Sequence, residues 1–298
     1  MLSDGYFHRF FVHVPHSAIF WVFAYIYLLT AASMNIIQTI VLAIVEGLTE
    51  FLPISSTAHM KFVNPLIGVQ VSPFREMFEV VIQFAAILSV IVLYRKKFFD
   101  FKKSGFYIKL LIALIPALVF GVLLKKHIDA ALSNLIFIAI VMIVGGILLL
   151  FIDRLFTNPR IHKEEEISNR NALVIGCFQV LSIIFPGLSR SAATIIGGMS
   201  QKLDRHVAAE FSFFLAVPTM LAASVKSLYD AYKDHHDVLA GNNLNVLLIG
   251  SLVSFIVALL AVRFFINYLQ NHGFKLFGYY RILVGAIMLM LIWKGHVQ

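Results

Sequence analysis

Apolar residues run through this chain in long blocks, not in the stripes of a surface helix. A membrane-crossing helix takes about 20 apolar residues. Blocks of that length stand near 77–94, 107–124, 133–152, 207–228, 244–266 and 277–294, and they predict six spans. Two further apolar stretches, near 36–67 and 172–201, are divided at Pro53 and Pro186. Two short pieces joined at a proline suit a re-entrant helical hairpin that enters the membrane and turns back. Ordinary spans kinked at the prolines fit the same pattern, since a bilayer-spanning helix can also accommodate a proline. The apolar pattern alone leaves both readings open.

The polar positions inside these two stretches are the unusual ones. In VEGLTEFLPISSTAHM (45–60), Glu46 and Glu50 are the only charged residues between Asn35 and Met60. In FQVLSIIFPGLSRSAAT (178–194), Arg190 is the only one between Asn171 and Gln201. A charge at membrane depth costs several kcal/mol unless it is paired or faces water, so such residues mark a functional site by default. Broken backbone at that depth survives only inside protein or along a wet cavity.

Composition agrees with the pattern. Hydrophobic residues make up 60% of the chain and charged residues 13%, against about 25% charged in a soluble domain; the mean hydropathy is +0.87. The fold class is therefore an all-α polytopic membrane protein. The net charge of +8 could point to nucleic acid, but no basic stripe interleaved with aromatics accompanies it, and basic loops are what the positive-inside rule produces. No nucleic-acid partner is expected. The single cysteine, Cys177, excludes an intramolecular disulfide and a multi-cysteine metal site and reads as a packing residue.

The loops set an orientation. Arg95 to Lys103 is strongly basic, Arg154, Arg160, Lys163 and Arg170 follow the third span, and Lys202 and Arg205 follow the second divided stretch. With both divided stretches re-entrant, all of these fall on one face, the cytoplasmic one by the positive-inside rule. The loops near 125–132 and 229–243 then face outward.

The halves also echo each other. Glu46 precedes Pro53 by seven residues, and Gln179 precedes Pro186 by seven. Ser-Ser-Thr follows the first proline and Ser-Arg-Ser the second. Glu79 and Glu210 stand as lone charges in FEVVIQFAA and AEFSFFLAVP. On the topology above, the hairpins enter from opposite sides, giving an inverted-topology repeat with its site where the broken elements meet. Its halves run about 34–124 and 133–228, followed by two helices, within one domain from 34 to 298. Residues 1–33 stand apart as an extension, either an extra span or an over-extended start. A cleaved signal peptide fits less well, for want of a charged start and a cleavage site.

Glu46 and Glu50, four apart, share a helix face. Two carboxylates in a low dielectric repel. A divalent cation relieves this, and hard oxygen ligands select Mg²⁺ or Ca²⁺; neutralisation by Arg190 or by a shared proton is the alternative. Ser55, Ser56 and Thr57 lie just after Pro53 with His59 beside them, the raw material of nucleophilic or general-base catalysis. Taken alone, such hydroxyls cap a helix. Ser189, Arg190 and Ser191 follow Pro186-Gly187 at a helix start, where free N–H groups and the dipole favour an anion. The arginine fork matches phosphate oxygens, and Thr194 lies one turn further on. Gln179, Glu79 and Glu210 are candidates for a supporting layer. A phosphorylated lipid fits the ensemble, its head on the cradle and its tail in the bilayer.

At these residues the chain resembles the bacterial undecaprenyl-diphosphatases, also called bacitracin-resistance proteins. The resemblance rests on EGLTEFLPISSTAH (46–59) and PGLSRSAAT (186–194), with support from FEVVIQ (78–83) and AAEFSFFLAVP (208–218), and it covers Met34 to the C-terminus. It implies hydrolysis of undecaprenyl diphosphate to the monophosphate, which recycles the lipid carrier of cell-wall synthesis, and hence bacitracin resistance. It further implies divalent-metal dependence, an inverted repeat with two re-entrant hairpins, and a site facing the periplasm from the bacterial inner membrane. On the family's motifs, Glu46 and Glu50 are the acidic pair, Ser55, Ser56 and His59 the hydroxyl–histidine segment, and Ser189, Arg190 and Thr194 the phosphate cradle. A homodimer stays open. The phosphatidic-acid-phosphatase superfamily is similar in chemistry, but after its Ser-Arg and five intervening residues it carries a nucleophilic histidine where this chain has Ile196.

Two mechanisms suit these residues. Either Ser56 attacks the terminal phosphorus with His59 as its base, or a metal-activated water attacks while Ser56 orients the phosphate. A polyprenyl-phosphate transporter or flippase is the competing function, since inverted repeats with broken helices are common in transporters.

Overall fold

A computed structural model describes residues 34–100, 104–234 and 242–297; the extension expected at 1–33 lies outside the described residues. Among the described residues, short turns at Arg95–Phe98 and Glu164–Glu166 aside, eleven helices carry the fold: α1 (Ile36–Thr49), α2 (Ser56–Leu66), α3 (Pro73–Leu93), α4 (Ser104–Leu123), α5 (Lys125–Ser133), α6 (Leu135–Leu155), α7 (Asn169–Ile184), α8 (Arg190–Ser200), α9 (Arg205–Asp234), α10 (Asn243–Asn271) and α11 (Lys275–Trp293). Their starts are written in the sequence. Asn35 and Gln38 form a capping box on α1, and Ser168 and Asn171 form one on α7. Ser72 caps α3 with Pro73 in its first turn, where a proline has no helical hydrogen bond to lose.

Among the described residues, six helices are long and apolar enough to cross a membrane: α3, α4, α6, α9, α10 and α11. They coincide with the six apolar blocks. Their outer faces carry exposed Ile108, Leu111, Ile115, Leu118 and Val122, the last 77% accessible, while Glu46, Glu50, His59 and Arg281 are buried. Apolar outside and charged inside inverts the order of a water-soluble protein. The chain is a multi-pass membrane protein. Cys177 is exposed on α7, so it is not the packing residue the sequence suggested; an apolar run on a lipid-facing helix is apolar on its outer side too.

The two divided stretches fold back on themselves. Gln38 at the start of α1 donates to the carbonyl of Ile67 just past α2, at 3.0 Å. In the second pair, a Cβ added to Gly197 would lie 2.7 Å from that of Phe178. Both are antiparallel hairpins, not kinked rods. Their helices have 14, 11, 16 and 11 residues, which at 1.5 Å per residue falls short of a roughly 30 Å hydrocarbon core.

The hairpins are held crosswise. Helix α1 of the first packs on α10, and α7 of the second packs on α4. The corresponding units are thus hairpin–span–span in each half: α1 to α4, and α7 to α10. Helix α6 packs chiefly on α11, outside this scheme. The second half drawn from sequence at 133–228 takes in α6 and stops short of α10. A close approach fastens α7 to α4: a Cβ on Gly176 would collide with the Ala113 carbonyl oxygen. An aromatic cluster around Phe213, Phe214, Phe265 and Phe277 fills the centre of the bundle.

The basic loops gather at one end. Arg160 and Ile161 donate their backbone N–H groups to the Lys202 carbonyl at 2.8 and 3.0 Å, Lys109 donates to the Glu164 carbonyl at 3.2 Å, and Lys97 pairs with Glu210 at 3.2 Å. Helix α4 then carries the chain across to α5 at the opposite end.

Candidate active site

The tips of the two hairpins meet. Each ends its turn on a serine with left-handed backbone, Ser55 at φ 71° and Ser189 at φ 75°. Each serine caps the following helix, accepting from the N–H of Ala58 and of Ala192 respectively, both at 3.3 Å. A non-glycine residue in that region costs of order 1–3 kcal/mol and persists where its surroundings hold it. That both tips share it is the clearest structural sign of the repeat.

One side chain from outside the hairpins joins the tips. Arg281 of α11 is 0% exposed. Its guanidinium donates to the carbonyls of Pro53 at 3.1 Å in the first tip and of Leu188 at 2.6 Å and Gly187 at 2.8 Å in the second, and its Nε donates to Met142 at 3.1 Å. Turn carbonyls that no helix could satisfy are met by one cation. Ser191 adds a second tie, donating to the Leu52 carbonyl at 2.9 Å.

Above this joint lies a cavity of about 280 Å³ lined by both tips: Glu50, Ser55, Ser56 and Thr57 from one, and Gly187, Ser189 and Arg190 from the other, with Gln83, Gln179 and Thr219. Glu50 is its hub. Its Oε2 accepts from the Ser56 hydroxyl at 2.5 Å and from Gln83 at 3.1 Å, and its Oε1 pairs with Arg190 at 3.2 Å. Arg190 also donates to the Ser212 carbonyl at 3.2 Å, while its Nε is buried without a partner. The pairing of Arg190 with a carboxylate, weighed from sequence as the alternative to a divalent cation, is thus formed, with donors to spare.

Other expected residues sit elsewhere. His59 does not reach Ser56: its Nδ1 is bonded to the Ser55 carbonyl and its Nε2 to the Tyr280 hydroxyl, both at 2.8 Å. The Ser56–His59 pair expected from their three-residue spacing is replaced by Ser56–Glu50, because the turn of α2 that carries His59 leans on α11. Ser191 and Thr194 turn their hydroxyls into the protein, Thr194 toward Ser212 at 2.6 Å, and neither lines the cavity. Glu79 pairs with Arg75 at 3.3 Å and accepts from Asn64 at 2.7 Å; Glu210 is bound to Lys97 at the basic end. Gln83, Thr219, Ser212, Tyr280 and Arg281 were not singled out from sequence. Arg281 carried the same signal as Arg190, a lone charge in an apolar block.

Glu46 bears on a metal. It is 3% exposed, one turn before Glu50, and its Oε1 is buried without a partner. An orphaned carboxylate oxygen beside a second carboxylate fits a hard cation. Among the described residues no group of three or more His, Cys, Asp or Glu side chains forms a metal cluster, so the protein could offer two carboxylates, with the remaining positions left to substrate oxygens and water, as suits Mg²⁺.

The family described as bacitracin resistance protein BacA matches residues 39–287. A Flavobacterium johnsoniae protein named undecaprenyl-diphosphatase is 52% identical over 264 residues, covering 88% of this chain and 98% of its own. Proteins of the same name from Porphyromonas gingivalis and Bdellovibrio bacteriovorus are 50% and 42% identical, with the same coverage of 88% and 98%. The chain belongs to the bacitracin resistance protein BacA family.

Proposed function

We propose that the chain is an undecaprenyl-diphosphate phosphatase that releases inorganic phosphate and returns undecaprenyl phosphate for cell-wall synthesis, and that this recycling underlies bacitracin resistance. The observation that carries the reading is the Ser56–Glu50–Arg190 array formed where two broken helices meet in one cavity. A carrier that releases its ligand unchanged has no use for a serine hydroxyl held on a carboxylate, and the transporter reading gains nothing from the relatives.

In this reading Arg190 and the serine-capped starts of α2 and α8 hold the terminal phosphate. Ser56 attacks the terminal phosphorus and Glu50 accepts the hydroxyl proton. The bond from that phosphorus to the bridging oxygen breaks, and undecaprenyl phosphate leaves. Water then hydrolyses the phosphoserine. Glu46 and Glu50 would hold a divalent cation, which supplies neutralising charge to the diphosphate when bound. Tyr280 fixes the His59 ring, stacked on it at 5.6 Å between centroids.

The cavity lies toward α5, whose Ile128 and Leu132 line it, and away from the basic loops. With those loops cytoplasmic, the hairpins are re-entrant and the cavity opens to the periplasm of a bacterial inner membrane. Detergent-purified protein given undecaprenyl or farnesyl diphosphate should release inorganic phosphate. Binding without release would overturn the enzymatic reading.

A further inference from the structure

The far wall of the cavity has polar groups that the mechanism leaves unused. Gln179 on α7 lines it, is 1% exposed, and has a buried amide oxygen with no partner. Its Nε2 reaches the Thr219 hydroxyl on α9 at 3.4 Å, a weak contact. A buried amide so poorly engaged is costly and calls for a ligand. A half-turn of the carboxamide would let the Thr219 hydroxyl, which now donates to the Leu215 carbonyl at 2.8 Å, swing to the amide oxygen. The amide's two N–H donors would then stand where the unpartnered oxygen is, on a side chain that lines the cavity.

Position says what they face. Gln179 stands seven residues before Pro186, as Glu46 stands seven before Pro53. One wall carries the Glu50 carboxylate, with Glu46 buried one turn behind it. The other carries, at the matching place, a neutral amide that does not repel an anion. Beside it the lining turns apolar, with Ile183, Met220, Ile128 and Leu132. A polar group set between the reacting centre and an apolar path is where the lipid-bearing end of a diphosphate would lie.

We propose that Gln179 and Thr219 form the subsite for the phosphate that stays on the lipid, leaving Arg190 and Ser56 to the phosphate that is removed. The proposal rests on the diphosphatase reading above. It makes Gln179 a specificity residue: it distinguishes a prenyl-linked phosphate from a free one, and it holds the leaving group as charge builds on it.

The test is binding, so that it does not depend on turnover. Farnesyl phosphate and inorganic phosphate are titrated separately by calorimetry into detergent-purified wild-type protein and into Gln179→Ala, Gln179→Glu and Thr219→Val. Loss of a hydrogen bond to a charged group should weaken farnesyl phosphate about tenfold or more in Gln179→Ala, and further in Gln179→Glu, whose carboxylate repels the ligand. Inorganic phosphate should bind all three as it binds wild type, and Arg190→Lys should show the reverse preference. Unchanged farnesyl phosphate binding, equal losses for both ligands, or no farnesyl phosphate binding to wild type would each overturn the subsite. Should Gln179→Ala not fold, the near-isosteric Gln179→Glu and the separate Thr219→Val still decide. Absence of phosphate release by wild type would strike the diphosphatase reading alone, and the binding constants would still judge the subsite.

Discussion

Glu50 binds a nucleophile candidate, an amide and a guanidinium at once, and the chemistry depends on which of these it serves. With Ser56 as nucleophile, rapid quenching should trap a phosphoserine on peptide 54–61, and Ser56→Ala should lose several powers of ten in rate. A residual activity of a few per cent would assign the attack to water and leave Ser56 to orient the phosphate. The orphaned oxygen of Glu46 gives a separate expectation. Chelation should abolish turnover and Mg²⁺ or Ca²⁺ restore it, and Glu46→Gln should raise the cation concentration needed for half-activity. Full turnover in chelator would remove the cation from the mechanism. At this scale the sequence disclosed which residues are costly but not how they pair. Ser56 and His59 looked like partners because helical spacing is all a sequence offers. Tyr280, more than two hundred residues away, takes the histidine instead.

The hairpins were legible as elements because both signals are local: a proline in an apolar stretch, and hydroxyls placed to cap the next helix. Their folding back was not, since a kinked span has the same composition; only tertiary contacts such as Gln38 with Ile67 distinguish the two. The glycine of the second tip belongs to this scale. Gly187 has φ +100°, and a Cβ there would come within 2.6 Å of the Ile138 carbonyl oxygen on α6. The structure uses this glycine to seat the turn against α6. Gly187→Ala should lower stability by about 2–5 kcal/mol through backbone strain and overpacking together, seen as a lower melting temperature in detergent. An unchanged melting temperature would mean that the tip is not constrained by α6.

At the scale of the molecule, six apolar blocks gave six spans because hydropathy over 20 residues needs no tertiary information. The crosswise grip of the halves, α1 on α10 and α7 on α4, had no such signal. Orientation can be checked directly. Single cysteines in the 95–100 and 156–168 loops, in a Cys177→Ser background, should resist an impermeant thiol reagent in intact spheroplasts and react after lysis. Cys177 must be removed because it is exposed. Labelling from outside would invert the topology and move the cavity to the cytoplasmic side. One tie has a consequence in time. The residue that joins the two tips belongs to α11, made after both hairpins, so both turns leave the ribosome with the carbonyls of Pro53, Gly187 and Leu188 still waiting for it. A chain ending at His272 should insert its earlier spans and remain inert, with activity appearing only once α11 is in place. A nascent protein that cannot act on its lipid until α11 has docked cannot drain the carrier pool from shorter copies still being made.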